Sequence, residues 1–289
     1  MTDTSYFQKI LVPVDGSHPS LQAEEVAADL AKKFDSKVTV IHVVPHEVRH
    51  PYALHGYEPH QVPEPIQKEI EAMFLQKGEQ ALGEAKTLFR SENVPVETVL
   101  EEFANPAESI LDVAEERKSD LIVMGNRGSS EIDDLELGGV AEKVSRHAKC
   151  SVLVAKKRDA WTNILVAIDG SKDSKKALEY AIEISRKYGS EITLLSVAET
   201  MLPQIGKDAA KGMAQRILSQ AEIQAKDMMV QKRIVFGHPV KEIVRIAREG
   251  NFDLVALGSR GVSAARRFVL GSVSDSVARS APCSVLIGR

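Results

Sequence analysis

The chain contains the same pattern twice, and that duplication restricts its fold more than any other feature. Ile10-Leu11-Val12-Pro13-Val14-Asp15-Gly16-Ser17 returns as Ile164-Leu165-Val166-Ala167-Ile168-Asp169-Gly170-Ser171, an offset of 154. Later the offset is 133, and it holds without a gap from Phe103 and Phe236 to Cys150 and Cys283. Inside that window Pro106, Asp120, Gly125, Arg127, Gly128, Gly138 and Ala148 recur as Pro239, Asp253, Gly258, Arg260, Gly261, Gly271 and Ala281. Identities this dense in a fixed register mean a duplicated domain. A chain of 289 residues has room for two. We expect domains over 1–156 and 164–289, joined by the polar and charged residues 157–163.

Within the first copy, short apolar runs alternate with segments of helical periodicity. Residues 9–14, 37–44, 96–103, 120–125 and 150–155 read as strands. Ser20 would cap a helix with Leu21, Ala27, Leu30, Ala31 and Phe34 on its apolar face. Further helices are expected over 65–91, 106–117 and 139–147. The second copy repeats the scheme, with Ser174 as a cap, strands over 191–197, 232–237 and 252–257, and a helix over 209–229. Strands separated by helices require crossovers, so each copy is an α/β unit with a parallel sheet.

Composition removes several classes. The net charge is -4, and there is no basic run or basic patch interleaved with aromatics, which argues against nucleic acid as a partner. No stretch approaches eighteen apolar residues, so no membrane span is expected. The N-terminus, Met1-Thr2-Asp3-Thr4-Ser5, lacks an apolar signal core, and two cysteines suit a reducing compartment. A cytoplasmic location is expected.

The stretch that carries chemistry is Gly258-Ser259-Arg260-Gly261, nine further residues, then Gly271-Ser272. It follows an apolar strand and leads into a helix. Glycines let a backbone approach an anion closely, and a helix N-terminus offers unpaired N–H groups at a positive dipole end. Gly271, Ser272, Val273 and Ser274 would supply those N–H groups, with hydroxyls from Ser272 and Ser274. The spacing is neither a P-loop, since no Gly-Lys-Ser/Thr follows, nor a dinucleotide G-x-G-x-x-G. Two glycines after a strand more often make a plain turn. The recurrence at Gly125, Gly128 and Gly138 lifts the phosphate reading above that.

Taken together, the strand-borne Asp before Gly-Ser, the shared Pro106 and Pro239, and Gly-x2-Gly-x9-Gly-Ser resemble the universal stress protein family. The resemblance covers nearly the whole chain, as a tandem-domain member. It implies two tandem, open-twisted, five-stranded parallel-sheet domains, Rossmann-like and akin to adenine-nucleotide α-hydrolases. It implies ATP as the ligand where the motif is complete, and pairing of domains through their last strands. The implied role is an ATP-binding regulator in a stress response, with a protein partner and a chain-to-chain homodimer. Carried onto this sequence, Ala167, Ile168 and Asp169 would line the adenosine side and Val197 would meet the adenine. Gly258, Arg260, Gly261, Gly271, Ser272, Val273 and Ser274 would hold ribose and phosphates, with Asp169 also a partner for Mg²⁺. A weaker second site is implied at Pro13, Val14, Asp15, Val43, Gly125, Gly128, Gly138, Gly139 and Val140. The placement agrees with a general rule, since ligands of open α/β sheets sit beyond the carboxyl ends of the strands. Asp169 also suits a turn or a cap.

The first copy departs from the pattern. Gly139 stands where Ser272 stands, so a hydroxyl is missing. Residues 126–139 hold Arg127 against Glu131, Asp133, Asp134 and Glu136, a net -3, whereas 259–272 hold Arg260, Arg266 and Arg267 and no acid, a net +3. An acid about 8 Å from a phosphate costs roughly 0.5–2 kcal/mol of binding. ATP is therefore expected mainly in the second half. The first copy also carries 21 extra residues around 46–67, with His46, His50, His55 and His60 among prolines. Those spacings give no helical ligand face, so a lid or interaction loop is expected ahead of a metal site. Cys150 and Cys283 are read as small semi-buried residues repeated by duplication, ahead of a redox pair. A turnover enzyme is not expected, because no Walker Lys or kinase-like loop is present. Slow Mg²⁺-dependent hydrolysis, a scaffold with vestigial motifs, and a module for another ligand stay open as alternatives.

Overall fold

The computed structural model describes residues 6–49, 63–128, 137–156, 161–199, 206–261 and 270–289. The first half holds β1 (Lys9–Pro13), α1 (His18–Phe34), β2 (Lys37–Pro45), α2 (Glu64–Ser91), β3 (Val96–Ala104), α3 (Pro106–Glu116), β4 (Leu121–Gly125), α4 (Gly139–His147) and β5 (Ser151–Ala155). The second holds β6 (Asn163–Ala167), α5 (Lys172–Tyr188), β7 (Glu191–Ala198), α6 (Lys207–Gln224), β8 (Val230–Phe236), α7 (Pro239–Glu249), β9 (Leu254–Gly258), α8 (Ser272–Ser280) and β10 (Ser284–Gly288).

The two expected sheets are continuous. The strand order is β3-β2-β1-β4-β5-β10-β9-β6-β7-β8. Each half is parallel, and the halves join where β5 meets β10 antiparallel, with Leu153 opposite Leu286. Helices α1, α2, α5 and α6 cover one face around Leu30, Phe89, Leu178 and Leu218. Helices α3, α4, α7 and α8 cover the other around Ile110, Val144, Ile246 and Val277. This is why β4, β5, β9 and β10 are buried along their whole length and read as continuous apolar runs rather than alternating ones. Each fully buried Val, Leu or Ile contributes roughly 1.5–3 kcal/mol, which fixes the central strands and leaves function to their ends.

The seam between the halves has near-twofold chemistry. Lys156, just past β5, donates to the Ala281 carbonyl at the end of α8 (2.6 Å), and its equivalent Arg289 donates to the Ser145 carbonyl of α4. The backbone N–H of Lys156 donates to the Ser284 hydroxyl at 3.1 Å, and that of Arg289 to the Ser151 hydroxyl at 3.2 Å. Above them α4 and α8 share four charges: Arg279 meets Glu142 at 2.7 Å and Arg146 meets Asp275 at 3.3 Å.

Three local expectations are corrected. Ser17 and Ser171 cap α1 and α5, while Ser20 and Ser174 give their N–H groups to those caps at 3.3 and 3.1 Å. Ser-x-x-Ser offers two hydroxyls. The first follows a glycine at positive φ (Gly16 75°, Gly170 85°) and takes the extended conformation that a cap needs. Leu21 is 41% exposed, because Ala23, Ala27 and Leu30 set the inward stripe and Leu21 falls outside that series.

Candidate functional site

In each half the strand order reverses beside β1 or β6, and the chain leaves opposite ways from neighbouring strand ends. That is the place where an open α/β sheet forms a crevice. Three pieces meet there: the loop after the first strand, the loop after the fourth, and the N-terminus of the last helix.

The aspartate after the first strand organises the loop. Asp15 Oδ1 accepts the Ser17 N–H at 3.0 Å, and Asp169 Oδ1 accepts the Ser171 N–H at 2.9 Å. The other carboxylate oxygen faces the second motif glycine. A Cβ on Gly128 would lie 2.6 Å from Asp15 Oδ2, and one on Gly261 would lie 2.9 Å from Asp169 Oδ2. A side chain at either position would push the carboxylate away from the loop. Asp169 is thus a turn residue as well as a wall of the crevice.

The first motif glycine has a different task. A Cβ on Gly258 would come 2.5 Å from the Ser174 nitrogen, and one on Gly125 would come 2.7 Å from the Pro19 carbonyl. These glycines let the start of α5 or α1 cross the strand end. The third glycine is an N-cap: Gly138 and Gly271 precede α4 and α8 with no capping side chain, and each donates its N–H to the loop, to Asn126 and Ser259, at 2.7 Å. No side chain caps α8, so the first-turn N–H groups of 272–274 form a positive dipole end.

Around the second crevice, Ala167 and Val197 are half-buried against the α7–α8 face, and Ile168 is held by its N–H to the Leu195 carbonyl at 2.8 Å. Ser272 is exposed and Val273 half-buried. Ser274 is buried and gives its hydroxyl to the Gly258 carbonyl at 2.6 Å, so that hydroxyl ties α8 to β9. Arg260 turns back to Asp173 (2.9 Å), which also receives the Ser259 hydroxyl at 2.7 Å. Burial works to raise the Asp173 carboxyl, but Arg260 and Ser259 together hold it below the usual carboxylate range. Arg266 and Arg267 lie outside the described residues.

In the first half a cavity of about 400 Å³ opens at the same place. Pro13, Val14, Asp15, Val43, Gly125, Gly128, Gly138, Gly139 and Val140 all line it, so the structure brings together every residue of the implied weaker site. Ile41, Phe74, Ile110 and Met124 give it an apolar wall, and Lys77 and Arg127 bring cations to its edge. Phe74 and Lys77 come from α2, which has 28 residues against 18 in α6. Pro19 stands where Asp173 stands, so the Arg260–Asp173 pair has no counterpart here. Nothing lies within 4 Å of a Cβ built on Gly139, so the missing hydroxyl leaves open space.

Two further residues distinguish this half. His42 Nδ1 donates to the Val14 carbonyl at 2.8 Å, which leaves Nε2 as an acceptor. Burial pushes its pKa down, so the ring is neutral. Glu24 is 2% exposed, and it accepts the Ser20 hydroxyl at 3.1 Å. Ser20 Oγ in turn accepts the Asp15 N–H at 3.2 Å. Burial raises the Glu24 carboxyl, the Ser20 hydroxyl opposes this, and Asp15, Glu84 and Glu25 add to it, leaving a pKa of about 7. The second copy has Ser196 and Leu178 at these positions. Aligning the copies at the 154 offset exposes both exchanges; Phe74 and Lys77 lie beyond the insert, in a stretch where the copies share no such identities.

Among the described residues no group of three His, Cys, Asp or Glu is placed to hold a metal. His46 pairs with Glu47 at 3.3 Å, while His50, His55 and His60 lie outside the described residues, as do Glu131, Asp133, Asp134 and Glu136. Both cysteines are free thiols, and burial pushes Cys150 up to about 11 and Cys283 up to about 12, which disfavours a redox-sensing role near neutrality.

A family model described as the universal stress protein family matches residues 6–156 and again residues 160–289. The chain belongs to the universal stress protein family. A universal stress protein from Methanocaldococcus jannaschii is 36% identical over 151 residues, which is 52% of this chain and 83% of that one. A putative universal stress protein of Staphylococcus aureus is 31% identical over 45% of this chain and 84% of its own length. Both matches span about one of the two copies. The crystal structure of a universal stress protein from Archaeoglobus fulgidus is 25% identical and covers 97% of this chain and 98% of its own, with a TM-score of 0.74. The tandem Rossmann-like architecture of this universal stress protein is thus shared along nearly its full length. No helix among the described residues is long and apolar enough to cross a membrane.

Proposed function

We propose that this universal stress protein binds adenine nucleotide, mainly in its second half, and that occupancy sets its conformation or its affinity for a protein partner in a stress response. One observation carries the reading: the first turn of α8 has no side-chain cap, and it begins at Gly271-Ser272 beside the Gly261–Asp169 contact. Such a helix end recruits a phosphate, and the exposed Ser272 hydroxyl adds a donor. In this reading Arg260 holds the loop through Asp173, and Ser274 contributes its backbone rather than its hydroxyl. ATP, with Mg²⁺ near Asp169, is the nucleotide that the resemblance implies. Binding without rapid turnover is the reading taken here, since Asp169 Oδ1 is engaged in its own turn. Regulation would then follow from unequal affinity for two conformations. Because β5 and β10 are used within the chain, a homodimer would form through other surfaces, in the cytoplasm.

The test is calorimetric titration of ATP with Mg²⁺ into the full chain and into Gly271→Glu. We expect one tight site per chain, weakened at least about 100-fold by a carboxylate at the helix N-terminus. Two equivalent sites would overturn the asymmetry, and no binding would leave a scaffold.

A further inference from the structure

The cradles of the two halves are built alike, and the buried charge beneath them differs by one residue. Glu24 in α1 corresponds to Leu178 in α5. Leu178 is packed in the apolar core. Glu24 is as deeply buried, but it is wired to the cavity: its carboxylate receives the Ser20 hydroxyl, and Ser20 receives the Asp15 N–H. Asp15 and Ser20 both line the cavity, and the Asp15 carboxylate abuts Gly128 of the motif loop. The second half has no such chain, since Ser174 gives its hydroxyl to the Ser171 carbonyl at 3.0 Å.

We propose that Glu24 makes the first cavity a second nucleotide site of different selectivity, one that takes a nucleoside monophosphate in preference to a triphosphate. The inference rests on the nucleotide reading above. A buried acid repels a ligand in proportion to the ligand's charge, and a triphosphate free of Mg²⁺ carries about two more negative charges than a monophosphate. Gly139 removes the hydroxyl that the second half offers to a longer phosphate chain. The apolar wall of Ile41, Ile110 and Met124 still accepts a flat base. The charged groups that weigh most on the Glu24 carboxyl are Asp15 from the loop after β1, Glu84 from α2 and Glu25 from α1 itself, all of them acids, while the cations Lys77 and Arg127 line the cavity above it. The three acids favour the protonated carboxyl, and a protonated Glu24 no longer discriminates by ligand charge.

The experiment uses the full chain carrying Gly271→Glu, so that the second half is blocked, and titrates AMP and ATP calorimetrically at pH 8 without Mg²⁺. AMP should bind more tightly. Adding Glu24→Leu, the second half's own residue, should shrink the AMP-over-ATP preference about tenfold. Glu24→Gln keeps the shape and can still bond Ser20, and it should do the same if the leucine variant folds poorly. Lowering the pH to 6 should shrink the preference in the Glu24 protein beyond any change in Glu24→Gln, which removes the ligands' own titration from the comparison. A preference unchanged by both substitutions overturns the inference, as does tighter binding of ATP. Nucleotide bound in the second half of the unblocked chain but never in the first overturns the inference and leaves the reading above intact. No nucleotide in either half overturns both.

Discussion

The two halves share a backbone plan and differ in how each manages charge at the strand ends. In the second, one acid at the start of α5, Asp173, neutralises Arg260, and the space beneath is filled by Leu178. In the first, Pro19 replaces that acid, and an acid appears one turn deeper as Glu24. The duplication therefore preserved geometry, through glycines that backbone contacts demand, while the buried acid moved from the start of the helix to a position further along it. Geometry is over-determined by several close approaches at once. A charge beneath a cavity is set by one side chain, so it can drift to a new selectivity without loss of fold.

The motif glycines give the sharpest way to break this view. Gly258→Ala puts a Cβ 2.5 Å from the Ser174 nitrogen, a backbone atom that cannot rotate away. We expect a loss of about 3 kcal/mol of stability, read from the denaturant midpoint. Gly271→Ala places its Cβ 3.3 Å from the Ser259 carbonyl and should cost about 1 kcal/mol. Equal losses would mean that the motif does not divide into packing and binding glycines.

The buried acid should weigh almost as much, and its sign depends on pH. The folded state raises the Glu24 pKa from 4.5 to about 7. A raised acid favours the folded state relative to high pH only while it stays protonated. That advantage is complete below pH 4.5 and lost as the pH climbs through 7, where a charged carboxylate is buried. The full difference is on the order of 3 kcal/mol. Glu24→Leu should therefore raise the unfolding free energy by roughly 2–3 kcal/mol at pH 8 and by far less at pH 5. A gain that does not change with pH would show that Glu24 is not buried as a charge.

Much of this was legible in the sequence, for a reason that also explains what was not. The strands and the helix from Gly139 follow from apolar runs and glycines that appear twice, and the seam through the last strands follows from the family resemblance. Repetition separates signal from accident. The roles inside the motif were not legible. Gly258 and Gly261 look alike on paper, and only the path of α5 shows that one meets a helix and the other a carboxylate. Arg260 in a glycine loop suggests a phosphate partner, yet its acid lies 87 residues earlier, at Asp173. Ser20 and Ser174 suggested caps because propensity cannot choose between two serines three apart. Glu24 sits among Ala23, Val26 and Ala27 in an amphipathic stretch, where a lone glutamate reads as surface unless the second copy is laid beside it.

The seam carries the smallest expected effect and the strictest test of symmetry. Arg146 and Arg279 are equivalent residues, each bonded to Glu142 and Asp275, but not equally. Arg279 is the less exposed of the two, 29% against 37%, and its cross-seam contact is shorter, 2.7 Å against 3.3 Å. Its bond to Glu142, and less strongly that to Asp275, holds its pKa above the usual arginine value. Exposed ion pairs are worth about 0.2–1 kcal/mol and fade with salt. Arg279→Ala should cost about 1 kcal/mol and Arg146→Ala about half of that, with both losses shrinking at high ionic strength. Since Glu142 and Asp275 lie in the first turns of the two candidate sites, the same substitutions test whether the halves communicate. If the seam transmits occupancy, Arg279→Ala changes how ATP in the second half affects AMP in the first. If the four charges only hold the halves together, stability falls and the two affinities stay as they were.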